Sequence, residues 1–189
     1  KIRWLARHWQ GFKSRLMQIS PGSLLIANPA YAHKEQKGHV VYVTESTSAS
    51  TMGIVLNAET DYSMRQLLEP RGVVWPWDTP VSAGGEYNTN SLVMLHTNEW
   101  YSSNTMSVDK TFAVSSDGFM LEKLEDGNAP YWFRIFLGCK GWSPSELEQD
   151  LRGAHAKWLL HPTPSVELIH TALFKMWTMA VEELSQDVF

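Results

Sequence analysis

The sequence predicts an α+β fold with mainly antiparallel strands. Its short apolar segments come mainly in pairs with helical patterns between the pairs, whereas strict strand–helix alternation would predict a parallel sheet. With 189 residues, of which 43% are hydrophobic and 19% charged, the chain is long enough for one domain with a substantial core. We see no internal repeat or interdomain linker, so we divide it into a helical extension, residues 1–19, and one domain, residues 20–189.

Residues 1–19 have the periodicity of an amphipathic helix. Apolar residues three or four positions apart form one seam: Ile2, Leu5, Trp9, Phe12, Leu16 and Ile19. Six Lys/Arg precede the first acid, Glu35, and the five of them within residues 1–19 mostly lie off this seam. The rest of the chain carries the other ten bases and all 20 acids. Such a seam must be covered by its own domain, by a protein partner or second copy, or by a membrane surface.

The domain itself shows alternating strand and helix signals. Strands are predicted at 24–27, 39–45, 52–57, 92–96 and 111–115. Helices are predicted at 62–68, 118–124 and 165–184, the last with inward positions Leu168, Ala172, Met176, Met179 and Leu184. The proline-rich segment 70–80 carries Trp75 and Trp77, and it either folds over the core or presents these rings to a partner.

Residues 131–152 contain a strand, a turn and a capped helix in succession. The aromatic and β-branched segment 131–137 predicts a strand. Gly138 and Gly141 then predict a sharp turn, because glycine tolerates a positive φ. Ser143 followed by Pro144 and, three positions on, Glu146 is the pattern of a capping box at a helix start. We expect the fold to be organised around this stretch.

Four blocks of this sequence resemble the AlgH-like (YqgE-like) bacterial proteins. They are residues 22–29 (GSLLIANP), 52–57 (MGIVLN), Gly84-Gly85 with Leu95-His96, and Leu137-Gly138 with Gly141-Trp142 and 146–148 (ELE). Together they cover about residues 20–180. The resemblance, with the paired strands, implies a curved, barrel-like sheet with flanking helices and a regulatory or binding role. Glu86 stands where that family usually has Pro, and Cys139 and Lys140 stand where it has Tyr and Ala.

The turns that carry these blocks form the predicted binding surface: Gly84, Gly85, His96, Gly138, Cys139, Lys140, Gly141 and Trp142. Cys139 is the candidate nucleophile, because Lys140 and the following helix N-terminus would both lower the pKa of its thiol. His96 would act as its base if the two strands are neighbours. The alternative is a buried thiol without a catalytic role.

Other chemistries lack their sequence patterns. The seven histidines and one cysteine show no H-x-x-x-H or C-x-x-C spacing, and no phosphate loop, dinucleotide fingerprint or G-x-S-x-G elbow occurs. We therefore expect no metal and no cofactor. An acidic domain does not attract nucleic acid by charge. No apolar run reaches the roughly 18 residues of a membrane span, and the single cysteine fits the cytoplasm or another reducing compartment.

Three functional hypotheses follow. The first is a non-catalytic binding or regulatory protein that docks to a protein partner or assembly through residues 1–19. The second is a thiol-dependent enzyme that uses Cys139 with His96. The third is a structural component of a large virion or membrane-associated complex, held by the same N-terminal segment.

Overall fold

The computed structural model of this protein describes residues 19–186. Contacts within the chain cluster into two compact units: Lys1–Asn57 with Gly141–Phe189, and Ala58–Lys140. The helix predicted for residues 1–19 lies outside the described residues except for Ile19, which is half-buried. Its separation from a domain at 20–189 stays a prediction.

Residues 19–186 form ten strands and five α-helices. The strands are β1 (Leu24–Ala27), β2 (Val40–Ser46), β3 (Thr51–Val55), β4 (Glu59–Ser63), β5 (Pro80–Ala83), β6 (Tyr87–Thr97), β7 (Met106–Ser107), β8 (Phe112–Ser115), β9 (Phe133–Trp142) and β10 (Trp158–His161). The helices are α1 (Met64–Leu68), α2 (Gly118–Glu125), α3 (Pro144–Leu151), α4 (Val166–His170) and α5 (Leu173–Gln186). Short 3-10 turns lie at Lys34–Gln36 and Glu69–Arg71.

The first unit contains an antiparallel sheet in the order β10-β1-β2-β3. All four residues of β1 are buried, as are the first five of β2, and both strands are nearly continuous apolar runs. Helix α5 packs on β1 and β2, with Met176, Ala180 and Leu184 buried at four-residue spacing. The ring nitrogen Nε1 of Trp177 donates to the carbonyl of Ala27 at 2.9 Å.

The second unit contains strands in the order β4-β5-β9-β6-β8-β7. Only the β5–β9 pair is parallel among the pairs described in this unit. Its apolar core includes the following buried residues: Met64, Leu68, Trp75, Val81, Met94, Trp100, Met120, Leu124 and Ile135. The predicted α+β class with mainly antiparallel strands is confirmed.

The Trp-Pro-Trp segment folds over this second core. Trp75 is buried and its Nε1 donates to Thr79 Oγ1 at 3.0 Å. Trp77 is half-buried, with its ring 5.7 Å from that of Trp75 and 6.1 Å from that of Phe133. The alternative in which these two rings stay free to anchor a partner is therefore not the one observed.

Two local predictions are wrong. The turn predicted at Gly138–Gly141 is absent, because β9 continues through these residues to Trp142. Gly138 does adopt a positive φ of 73°, but this distorts the strand without reversing the chain. The helix predicted at 165–184 is two helices, because Thr171 is extended (φ −69°, ψ 162°) and ends α4.

The capping box at α3 is confirmed: the Ser143 and Glu146 side chains each accept from the other's backbone N–H.

Glu183 connects α5 to the start of α4 and to β10. Its Oε1 accepts from the backbone N–H of Ser165 at 2.6 Å and lies 3.1 Å from His161 Nε2, and its Oε2 accepts from Ser165 Oγ at 2.8 Å. Burial by itself raises the pKa of Glu183, but the bonds from Ser165 and the nearby His161 outweigh it and lower the pKa below its usual range. The ionised carboxylate thus stabilises the fold.

We predict that Glu183→Gln lowers the free energy of unfolding by about 1–2 kcal/mol at pH 7, because the amide cannot accept all these bonds. A carboxyl with a lowered pKa stabilises the fold above its unfolded value of 4.5 and loses this contribution as the pH falls further. Urea unfolding should therefore show the gap between wild type and variant closing below about pH 4.5. Glu182→Gln, an exposed neighbour, is the control, and a gap independent of pH would contradict the role of the charge.

Candidate functional site

Two backbone segments of the second unit meet where β5 ends and β9 is distorted. The N–H of Gly84 donates to the carbonyl of Leu137 at 2.7 Å. A Cβ added at Gly84 would lie 2.2 Å from Gly138 O, and one at Gly85 would lie 2.3 Å from the carbonyl carbon of Cys139. Both distances are far below van der Waals contact, so only glycine fits at these positions. The two glycine-containing segments singled out in the sequence therefore touch.

Glu86 and Lys140 form an ion pair beside this contact. The Nζ of Lys140 lies 2.8 Å from Glu86 Oε1, and the two side chains are 6% and 56% exposed. A buried ammonium group requires a partner because it has lost its hydration. The structure thus joins two positions at which the sequence departs from the family pattern.

Cys139, which precedes Lys140 in β9, is half-buried. Burial raises the pKa of its thiol, a hydrogen bond with the Asn88 side chain lowers it in part, and the charge of Glu86 raises it further. The expected lowering of this pKa is therefore wrong. The ammonium group of Lys140 is directed to Glu86, and α3 does not begin until Pro144.

His96 lies elsewhere on the β6–β9 ladder. It pairs with Phe133, whereas Cys139 pairs with Tyr87. Six residues of strand separate Phe133 from Cys139, which is about 20 Å at 3.3 Å per residue. The structure does not bring His96 to Cys139, so direct proton transfer between them is not possible in this conformation.

His96 belongs instead to a buried chain of hydrogen bonds. Its Nδ1 lies 3.0 Å from the carbonyl of Thr97, which can only accept, so Nδ1 carries the proton and Nε2 accepts from Ser115 Oγ at 2.9 Å. Ser115 Oγ in turn lies 2.7 Å from Thr105 Oγ1, which accepts from the N–H of Ser102 at 2.6 Å. Both residues are buried, with His96 0% and Ser115 2% exposed. A substrate therefore cannot reach the contact between them in this conformation.

Of the predicted binding surface, the structure brings together five residues: Gly84, Gly85, Gly138, Cys139 and Lys140. His96 is not among them. Gly141 and Trp142 belong to the first unit, where Trp142 is 7% exposed and packs edge-to-face on Trp158 at 5.9 Å. Whether the five form a binding surface stays a prediction.

A groove in the second unit is the feature that the sequence did not indicate. It has a volume of about 600 Å³. Its apolar lining is Leu67, Leu68, Leu92, Met120, Leu121 and Leu137, and its polar lining is Tyr62, Arg71, Thr89, Asn90, Ser91, Ser116, Asp117 and Gly118. Such a volume is typical of ligand sites. The polar run 88–91 and the cap at Asp117 are visible in the sequence, but nothing there indicates that they face each other.

Two further findings concern the part of the chain that the structure describes. Its His, Cys, Asp and Glu residues form no group of three that could hold a metal ion. None of its helices has the length and apolar character needed to cross a membrane.

Fold and groove together define a mixed α+β protein whose candidate catalytic pair is not assembled. The sequence profile of the AlgH-like family matches residues 24–188, so the chain belongs to this family. A UPF0301 protein of Marinomonas sp. (strain MWYL1) is 30% identical over 168 residues, covering 87% of this chain and 88% of the relative. A UPF0301 protein of Idiomarina loihiensis is 31% identical over 173 residues, covering 88% and 91%.

A solved structure has the same fold. The solution structure of the AlgH protein from Pseudomonas aeruginosa matches with a TM-score of 0.75 at 22% identity, covering 92% of this chain and 93% of that one. The likeness supports the α+β architecture, and at this identity it says nothing about ligands.

We predict that Gly84→Ala destabilises the protein by at least about 2 kcal/mol, because its methyl group would overlap the backbone of Gly138. Thermal or urea unfolding measures the loss. Gly118→Ala, at the open start of α2 with no atom within 4 Å of the added Cβ, is the control and should change stability by less than about 1 kcal/mol. Equal effects in the two variants would show that the close approach is not needed.

A second prediction concerns pH. Burial lowers the pKa of His96, so the unfolded chain takes up this proton at a higher pH than the folded chain. The free energy of unfolding should therefore fall as the pH drops below about 6.5. In His96→Gln this part of the pH dependence disappears, at a cost of about 1–3 kcal/mol at pH 7.5. Urea unfolding between pH 7.5 and 5 compares the two, and identical slopes would contradict a buried neutral His96.

Proposed function

We propose that this chain is a non-catalytic binding protein of the AlgH-like family, with a regulatory or structural role, that docks through residues 1–19. The observation that carries the proposal is the apolar seam of that segment. The family profile begins at residue 24, so residues 1–19 precede the part of the chain that the profile matches. Left in water, six large apolar residues on one helical face would be an unusual surface for a monomer.

The charges around the seam favour a protein occupant. The basic residues off the seam include Arg3, Arg7, Lys13 and Arg15, whereas the rest of the chain carries twice as many acids as bases. A second copy of the chain, or another acidic protein, therefore offers complementary charge. An anionic lipid surface offers the same charge without a matching apolar groove, and it enters the test as the competing outcome.

The geometry of the second unit supports the non-catalytic half of the proposal. The pKa of the Cys139 thiol is raised, and the neighbouring charged residues Glu86 and Lys140 pair with each other. His96 is enclosed in its own hydrogen-bond chain, about 20 Å along the ladder from Cys139. A thiol-dependent enzyme would need a thiolate and a base in contact. We therefore do not retain the Cys139–His96 mechanism as a second candidate function.

The test changes the seam without shortening the chain. Trp9→Glu with Phe12→Glu places two charges on the seam, and Gln10→Glu with Ser14→Glu places the same two charges off it. Sedimentation velocity measures self-association, co-sedimentation with vesicles containing phosphatidylserine measures lipid binding, and urea unfolding measures stability. We expect the seam variant to lose self-association by about tenfold or more while its stability changes by less than about 1 kcal/mol.

Three results would overturn this proposal. In the first, the seam variant loses several kcal/mol of stability and associates as before, so the segment belongs to its own domain. In the second, only vesicle binding depends on the seam. In the third, neither association nor vesicle binding responds to the seam variant.

A further inference from the structure

The geometry points to a second binding site, independent of residues 1–19: we propose that the groove between β6 and α2 binds an extended, acidic peptide segment of a partner protein. The peptide would add as a strand to the edge of β6. The argument rests on where β8 ends, on the direction of the β6 backbone groups, and on the charges that line the groove.

Strand β6 extends well beyond its neighbour β8. It spans Tyr87–Thr97, but β8 pairs with it only from Met94 to Thr97. After Ser115 the chain leaves the sheet and enters α2, whose first turn is capped by Asp117. Within the described residues β6 has β9 on one side and β8 on the other, so its earlier half has no strand partner on the β8 side.

The backbone of β6 has hydrogen-bonding groups directed to this open side. The N–H of Thr97 donates to the carbonyl of Trp132, at 3.1 Å, on the β9 side. Backbone groups alternate between the two sides of a strand, so those of Met94 and Leu92 point to the β8 side. Met94 meets Ser115 there, whereas Leu92 lies beyond the end of β8 and lines the groove. An open strand edge beside a helix is the geometry used for peptide recognition by strand addition.

The groove provides side-chain sites on either side of such a peptide. Its floor includes Leu68, Leu92 and Leu137, and α2 contributes Leu121. A strand presents alternate side chains to opposite faces, so every second residue of the peptide would contact this apolar floor. The exposed residues Thr89–Ser91 leave the rim polar and open, which suits a segment of chain more than an enclosed small molecule.

The exposed cation of the groove lining favours an acidic peptide. The charged residues that line the groove are Arg71 and Asp117. Asp117 already accepts from Ser102 Oγ at 2.6 Å, Asn104 N at 2.9 Å and Met120 N at 2.7 Å. Burial by itself raises the pKa of Asp117, but these bonds outweigh it and lower the pKa below its usual range. Arg71 is exposed, and its guanidinium is suited to a bidentate contact with a carboxylate. We therefore place a Glu, an Asp or a terminal carboxylate of the peptide at Arg71.

The test selects heptapeptides from a random display library on the full chain and measures the synthetic, fluorescein-labelled winners by anisotropy. Ser91→Trp fills the groove, and Arg71→Glu reverses its free charge. The controls are Ser145→Trp and Arg65→Glu, two exposed positions outside the groove. Circular dichroism and urea unfolding confirm that each variant is folded.

We expect acidic peptides with alternating apolar residues to be enriched. Ser91→Trp and Arg71→Glu should each weaken their binding by about tenfold or more, while the controls retain it. In amide NMR spectra of the wild-type chain, the peptide should protect the N–H of Leu92 from exchange, a signature that side-chain contacts alone do not give.

The inference is overturned if no peptide is enriched, or if the enriched peptides bind equally well to Ser91→Trp. It is also overturned if binding requires Arg71 but leaves the hydrogen exchange of the Leu92 N–H unchanged. The peptide would then be held by its charge without pairing to β6, as a small acidic molecule could be. None of these variants changes the seam of residues 1–19. The groove proposal can therefore be wrong while the docking proposal is right, and the docking proposal can be wrong while the groove proposal is right.

Discussion

The contact between the Gly84-Gly85 and Gly138-Cys139 backbones is the constraint on which the second unit depends. No side chain fits between these segments, so β5 can lie parallel against β9 only because glycine occupies both positions of the first segment. Next to this contact, the register between β6 and β9 shifts in the interval from Tyr87 to Leu92. The same interval of β6 lines the groove. The glycine contact and the polar rim of the groove thus both lie next to this shift in the β6–β9 register.

Buried polar side chains in both units lie in hydrogen-bonded clusters, and these clusters contain residue types that also occur in catalytic sites. His96 and Ser115 lie at hydrogen-bond distance, but both are buried and their remaining atoms are engaged by Thr97 and Thr105. In the first unit, Glu183 likewise accepts two hydrogen bonds from Ser165. Buried polar groups cost several kcal/mol when left unpaired, so such clusters stabilise a fold whether or not they do chemistry.

Local signals in the sequence predicted local structure well. The Ser143–Glu146 capping box forms as expected, because both partners lie within one helical turn. The apolar runs at Leu24–Ala27 and Val40–Ser46 become buried strands close to their predicted bounds. The polar half of β6 was not predicted, because Asn88–Ser91 has no apolar alternation and only the flanking residues Tyr87 and Leu92 pair with β9. The continuation of β9 past Gly138 was also missed. Two nearby glycines indicate a turn in the sequence, but here strand pairing keeps the segment extended.

The sequence by itself determined the α+β class and the membership in the AlgH-like family, because periodicity, caps and ordered motifs depend on neighbouring residues. It also predicted a separate helical segment at residues 1–19. It also drew attention to Gly84, Gly85 and Gly138 without indicating that they touch. Only the tertiary structure decided that Cys139 and His96 lie apart and that Lys140 forms an ion pair with Glu86. It also decided that β6 extends beyond the end of β8, next to the groove that Arg71 lines. Each of these depends on strand register, where a shift of one or two residues moves a side chain to another face or another neighbour.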